Sequence, residues 1–128
     1  MDGKIVKHYL DLLYMTSSEI NAKDIADLLK DRKEFSVELW EEMNVLELEL
    51  SNQNTIDFEP VEVAFTNPSD AAFVKNRNIR TIFAVHLAEE DLETVKDIFE
   101  IIIRRFSGFL GTDSADFNPI HAGFAAKP

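Results

Sequence analysis

The residues in this chain whose types suit proton transfer, metal ligation or charge recognition are three histidines and two groups of carboxylates. His8, His86 and His121 lie on three separate segments, while Asp113, Asp116 and His121 gather after Gly111 in a stretch without hydrophobic periodicity. Imidazole and carboxylate together can relay a proton or hold a divalent cation, which makes His86, Asp113, Asp116 and His121 the candidate ligand or metal set. The chain has no cysteine, no G-x-S-x-G elbow and no H-E-x-x-H helix to organise a catalytic centre. No catalytic residue is assigned and no cofactor is expected, so the reading leans away from an enzyme. The only glycine-rich run, Ser107 to Gly111, follows a helix instead of preceding one and so suits a helix stop better than a phosphate cradle.

The second group of carboxylates is ordered. Leu46, Leu48 and Leu50 alternate with Glu47 and Glu49, and after a polar turn Ile56 and Phe58 alternate with Asp57 and Glu59. Pairing the apolar residues of two such strands sets acids beside acids, at up to roughly 1 kcal/mol per opposed pair. Glu47, Glu49, Asp57, Glu59 and Glu62 therefore form an expected acidic face. Solvent, a divalent cation, Arg80 and His86 on the next strand, or a basic protein partner are the available ways to relieve it. Beyond Pro60 the apolar phase passes to Val61, Val63 and Phe65, which predicts a bulge or an edge position there.

The elements that must position these groups follow from periodicity. Val6, Tyr9 and Leu13 at helical spacing predict a helix over residues 4–15. Asn21 as N-cap, with Asp24 at the third helical position and an Ile20–Ile25 staple, predicts a second over residues 22–30. Residues 35–43 satisfy two patterns: Phe35, Val37 and Leu39 alternate as in a strand, whereas Leu39, Trp40 and Met43 share a helical face. A short helix capped by Ser36 and ended by Asn44 is preferred, with the strand as alternative. A third strand over residues 79–88 is expected to bury Thr81, Phe83, Val85 and Leu87. Leu92, Val95, Phe99, Ile102, Phe106 and Phe109 recur at spacings of three and four and predict one long helix, acidic at its start, with Arg104 and Arg105 near its end. Its further apolar residues Ile98, Ile101 and Ile103 widen the stripe, so either the N-terminal helices or a second copy must cover them; they are the candidate dimer surface.

The predicted class is α+β: N-terminal helices, an antiparallel meander of three or four strands, and a long C-terminal helix packed on the sheet. Residues 1–111 are expected to form one domain and residues 112–128 an irregular arm. With 128 residues and 45% hydrophobic content, the chain can build one core. A formal net charge of −11 argues against nucleic acid or an anionic membrane as partner. No apolar run spans a bilayer and no signal peptide is legible at the start, so with no cysteine a cytoplasmic location is expected.

The expected function is a non-enzymatic interaction module that binds a basic protein, in the manner of immunity or antitoxin proteins, or binds itself as a homodimer. The alternative is a small-molecule or divalent-metal-binding domain with a pocket between the sheet and the C-terminal arm. A weaker alternative is a helix-turn-helix regulator, since residues 17–48 read helix, turn, helix, hairpin. Its would-be recognition helix carries Glu38, Glu41 and Glu42 where base and phosphate contacts need Arg, Lys, Asn or Gln.

Overall fold

A computed structural model describes residues 8–62 and 68–112. In chain order these form strand β1 (Tyr9–Thr16), helix α1 (Ala22–Leu29), strands β2 (Phe35–Trp40), β3 (Val45–Leu50) and β4 (Thr55–Val61), helix α2 (Pro68–Asn76), strand β5 (Thr81–Ala88), helix α3 (Leu92–Phe106) and strand β6 (Phe109–Thr112). The class is α+β, as read from the sequence, with the long helix last. The sheet is larger than the expected meander: six strands in the order β2-β3-β4-β5-β1-β6, every neighbouring pair antiparallel. Because directions alternate across this order, β1 and β2 run the same way, as do β5 and β6. Helices α1 and α3 therefore act as crossovers between like-directed strands.

Two of the added strands were hidden for physical reasons. The expected N-terminal helix is wrong where it is described: Tyr9–Thr16 is a strand between β5 and β6. Leu12, Leu13, Tyr14 and Met15 are all buried because helices cover both faces at this position, so the apolar run shows no alternation and mimics a helical stripe. Residues 4–7 of that reading lie outside the described residues. β6 is the other addition. Its Phe109, assigned by spacing to the long helix, instead pairs with Met15 across the sheet.

The turn between α3 and β6 explains why the helix stops short of Phe109. Ser107 (φ 65°) and Gly108 (φ 93°) both take positive φ, and a side chain at Gly108 would run into the Met15 carbonyl oxygen. Tyr14 Oη donates to the Ser107 carbonyl at 2.6 Å and Thr16 Oγ1 to the Phe106 carbonyl at 2.6 Å. The end of α3 is thus tied to β1 through carbonyls that the helix leaves unpaired.

Residues 35–43 settle on the alternative reading. Phe35–Trp40 is a strand, half-buried and exposed residues strictly alternating, and only Glu41–Met43 makes a single 3-10 turn. Ser36 caps nothing, but Asn44 does end the turn in the left-handed conformation, φ 57°. With one helix followed by a strand, the helix-turn-helix order is not present. α1 forms as expected: the Asp24 amide donates to Asn21 Oδ1 and the Asn21 amide to Asp24 Oδ2, both at 2.9 Å. Of the two readings at Pro60, the bulge is corrected and the edge position holds. β4 keeps its register through Glu59↔Ala84, Pro60↔Phe83 and Val61↔Ile82, without a bulge. Val61 simply occupies the opposite face from Ile56 and Phe58, and Pro60 sits past the end of the β3 ladder, where a missing N–H is tolerated. Val63 and Phe65 lie outside the described residues.

The two faces differ. One carries the main core, in which Tyr14, Leu46, Leu48, Ile56, Phe58, Phe83, Val85 and Leu87 pack under α1 and α3. Phe99 of α3 stacks on Phe58 (centroids 5.6 Å apart) and tilts against Tyr14 (5.3 Å). The other face is covered only in part. α2 closes a smaller cluster of Leu13, Met15, Val74, Ile79, Ile82 and Phe109, with Val61, Phe73 and Ala84 at its margin. Among the described residues nothing covers the rest of that face, and the ordered acids stand on it.

Candidate functional site

The strand registers place the acids in a line. Glu38 of β2 lies opposite Glu47 of β3, Glu47 opposite Asp57 of β4, Asp57 opposite His86 of β5, and His86 opposite Asp11 of β1. One lateral row thus crosses five strands with four carboxylates and one imidazole. Glu49 and Glu59 flank it, two residues along β3 and β4 respectively and so on the same face. The sequence reading found Glu47, Glu49, Asp57 and Glu59 because alternation alone puts them on one side. It missed Glu38, which was read as helical, and Asp11, which was read on a helix in place of β1. Glu62 follows the last paired residue of β4 and stands outside the row.

Electrostatics within the row are unfavourable at one end and relieved at the other. Partial burial and then the neighbouring charges of Asp57, Glu38 and Glu49 push the Glu47 carboxyl above its ordinary range, against a hydrogen bond with Thr55 that pulls it down. Burial also pushes Asp57 up, with Glu59 adding to it, while His86 draws it back. His86 Nδ1 lies 2.7 Å from Asp11 Oδ1, and the Tyr9 ring stacks on the imidazole at 5.1 Å and 13°. Arg80, the other expected counter-charge, precedes β5 and lies six residues from His86, about 20 Å at strand rise, too far to act on the row.

The cations that do form ion pairs among the described residues are used elsewhere. Lys23 and Lys30 pair with Asp27, Lys96 with Glu93, and Arg104 with Glu100, all within helical segments or their ends. No lysine or arginine among the described residues pairs with Glu38, Glu47, Glu49, Asp57 or Glu59. Nor is any group of three or more His, Asp or Glu side chains among the described residues arranged to hold a metal ion. Of the candidate ligand set, His86 stands in the acidic row, and Asp113, Asp116 and His121 lie outside the described residues. The candidate dimer surface is covered from within: Ile98 and Ile103 are buried in the main core and Ile101 is half-buried against it.

Two concavities border strand β2, one on each face. On the acidic side a groove of about 220 Å³ is lined by Ser36, Val37, Glu38, Glu47 and Glu49. On the helical side a cleft of about 370 Å³ has an apolar floor of Phe35, Leu50, Ile98 and Ile101 and a polar rim that includes Arg32, Glu34, Asn52 and Asp97. Asp91 forms one wall of the cleft and is held by the side-chain amides of Asn52 (2.9 Å) and Asn54 (2.8 Å). No described helix is long and apolar enough to cross a membrane. Compared with known proteins, the chain matches no family model, no curated protein and no solved structure.

Proposed function

We propose that this chain is a non-enzymatic protein-interaction module whose open acidic sheet face receives a basic protein partner. The observation that carries the reading is the Glu38–Glu47–Asp57 row, opposed strand by strand and paired with no lysine or arginine among the described residues. Opposed like charges weaken the sheet, and a partner that brings cations to them regains that energy on binding. His86 and Asp11 close the row at the β1 end, so the uncompensated charge is concentrated towards β2. The absence of cysteine fits a reducing compartment, and the proposal places the encounter in the cytoplasm.

The test compares two variants of equal net charge. One reverses Glu47, Glu49 and Glu59 to lysine, and the other reverses Glu19, Asp31 and Glu89, all exposed and away from the row. Capture of basic proteins from native lysate should fall at least roughly tenfold for the first and stay near wild type for the second, since the effect lies in the face and not in bulk charge. Equal capture by both variants would sink the reading.

A further inference from the structure

The geometry points to a mode of recognition at this face: an extended peptide segment, basic and apolar in alternation, adds as a seventh strand along the open edge of β2. The inference rests on the acidic-face reading and specifies its partner. β2 is the first strand of the sheet and pairs only with β3 among the described residues. Which of its backbone groups are free follows from the neighbouring hairpin. The Leu50 amide donates to the Asn54 carbonyl at 2.8 Å, so Leu50 directs its backbone groups towards β4. Alternation along an antiparallel strand then turns those of Glu49, Glu47 and Val45 towards β2, where they meet Ser36, Glu38 and Trp40. The N–H and C=O groups of Phe35, Val37 and Leu39 are left facing outward.

Such an edge is a template for strand addition unless it is blunted. β2 contains no proline, no lysine and no bulge, and its six residues keep continuous register with β3. The two concavities border this strand, the acidic groove on one face and the apolar-floored cleft on the other, with Val37 at the first and Phe35 at the second. Side chains of an added strand alternate between faces. Those on the acidic face would meet Glu38, with Glu47 and Glu49 behind it, and those on the helical face would meet Phe35, Val37 and Leu39, half-buried and only partly covered. The first set is therefore Lys or Arg and the second apolar. Charge complementarity selects this occupant over a second copy of the chain, which would bring its own Glu38, Glu47 and Glu49 to the same groove.

The probe is a capped ten-residue peptide of alternating Lys and Val, compared with alternating Glu and Val and with the same Lys and Val residues in two blocks. Amide hydrogen exchange is followed residue by residue. With the alternating basic peptide at about ten times its dissociation constant, exchange at Val37 and Leu39 should slow about tenfold, because opening then competes with bound peptide. The amides of Ser36 and Glu38, already bonded to β3, should change little. Neither control peptide should produce the effect. Val37→Pro removes an outward amide without touching the β3 ladder and should weaken binding at least roughly tenfold, with its melting temperature checked and Leu39→Pro as the second variant.

Binding without protection at Val37 and Leu39 overturns strand addition, as does no binding at all. If the peptide fails while lysate capture still depends on Glu47, Glu49 and Glu59, the acidic-face reading stands and this mode of recognition does not. If both fail, both are overturned. Protection of Val37 in the protein alone that grows with its concentration makes a second copy the occupant, and the inference is again overturned.

Discussion

Asn44 shows how much one side chain can connect. It takes φ 57° to end the 3-10 turn after β2, and its Oδ1 accepts from the Ala22 amide at 2.6 Å. That amide is one of the donors every helix leaves unpaired at its start, so Asn44 links the β2–β3 connection to the first turn of α1. Asparagine suits both tasks, since it tolerates the left-handed region and carries an acceptor. The two contributions can be separated by substitution. Asn44→Gly keeps the backbone conformation and loses the bond, at about 1 kcal/mol. Asn44→Ala loses both and should cost roughly 1 kcal/mol more. Urea unfolding of the two variants measures the difference; equal losses would mean that the backbone conformation costs nothing here. The sequence reading had Asn44 end a short helix; its terminating, left-handed role was legible, although what it ends is a 3-10 turn after a strand. Its bond to Ala22, 22 residues away, was not, because local pattern carries no information about which termini meet.

At the scale of elements, the sheet carries a pH dependence whose sign follows from Glu47. Its carboxyl lies above the ordinary range in the folded protein, raised first by burial and then by its acidic neighbours. The folded state therefore binds its proton more tightly than the unfolded chain does. Stability falls as pH rises from the ordinary carboxylate range through the folded value, and the penalty is present in full at neutral pH. Glu47→Gln removes that titration. The variant should melt about 1–2 °C above wild type at neutral pH, a few tenths of a kcal/mol for a partly solvated cluster. The gap should close as pH falls to about 3, below the ordinary carboxylate range, where the wild-type carboxyl is protonated in both states. A constant difference across that range would show that charge is not its cause. Legibility also varied by element. α1 carries a capping box, α1 and α3 each an apolar stripe at helical spacing, and β3 and β4 alternate cleanly, so their patterns are self-sufficient. From Leu12 to Met15 β1 is covered on both faces, so no alternation is left there to mark its period.

For the whole molecule, the net charge of −11 and the concentration of acids on one open face predict long-range attraction of basic partners. Binding of the alternating Lys and Val peptide should weaken at least tenfold between about 50 mM and 500 mM salt, with most of the change in the association rate, because exposed charges lose sight of each other beyond the Debye length. Titration calorimetry and stopped-flow rates at the two concentrations measure it. An affinity independent of salt would assign the contact to the apolar cleft alone. The same scale explains the surplus apolar surface of α3. Ile98 and Ile103 need no second copy, since α3 lies against a broad sheet with α1 beside it and both are buried there.

Local chemistry determined those parts of the protein in which a short segment carries its own signal. The α+β class, the capped helix after Asn21, the long amphipathic helix and the alternation that puts Glu47, Glu49, Asp57 and Glu59 on one side of two strands are of this kind. Tertiary structure alone decided how strands distant in sequence pair. Inserting β1 between β5 and β6 brings Asp11 to His86 across 75 residues and turns a short acidic face into a row over five strands. It also leaves β2 at the edge, with three residues' backbone groups turned outward. Periodicity reports only which side of an element is buried. Strand order depends on which apolar surfaces can be covered together, and that is a property of the assembled sheet and its helices.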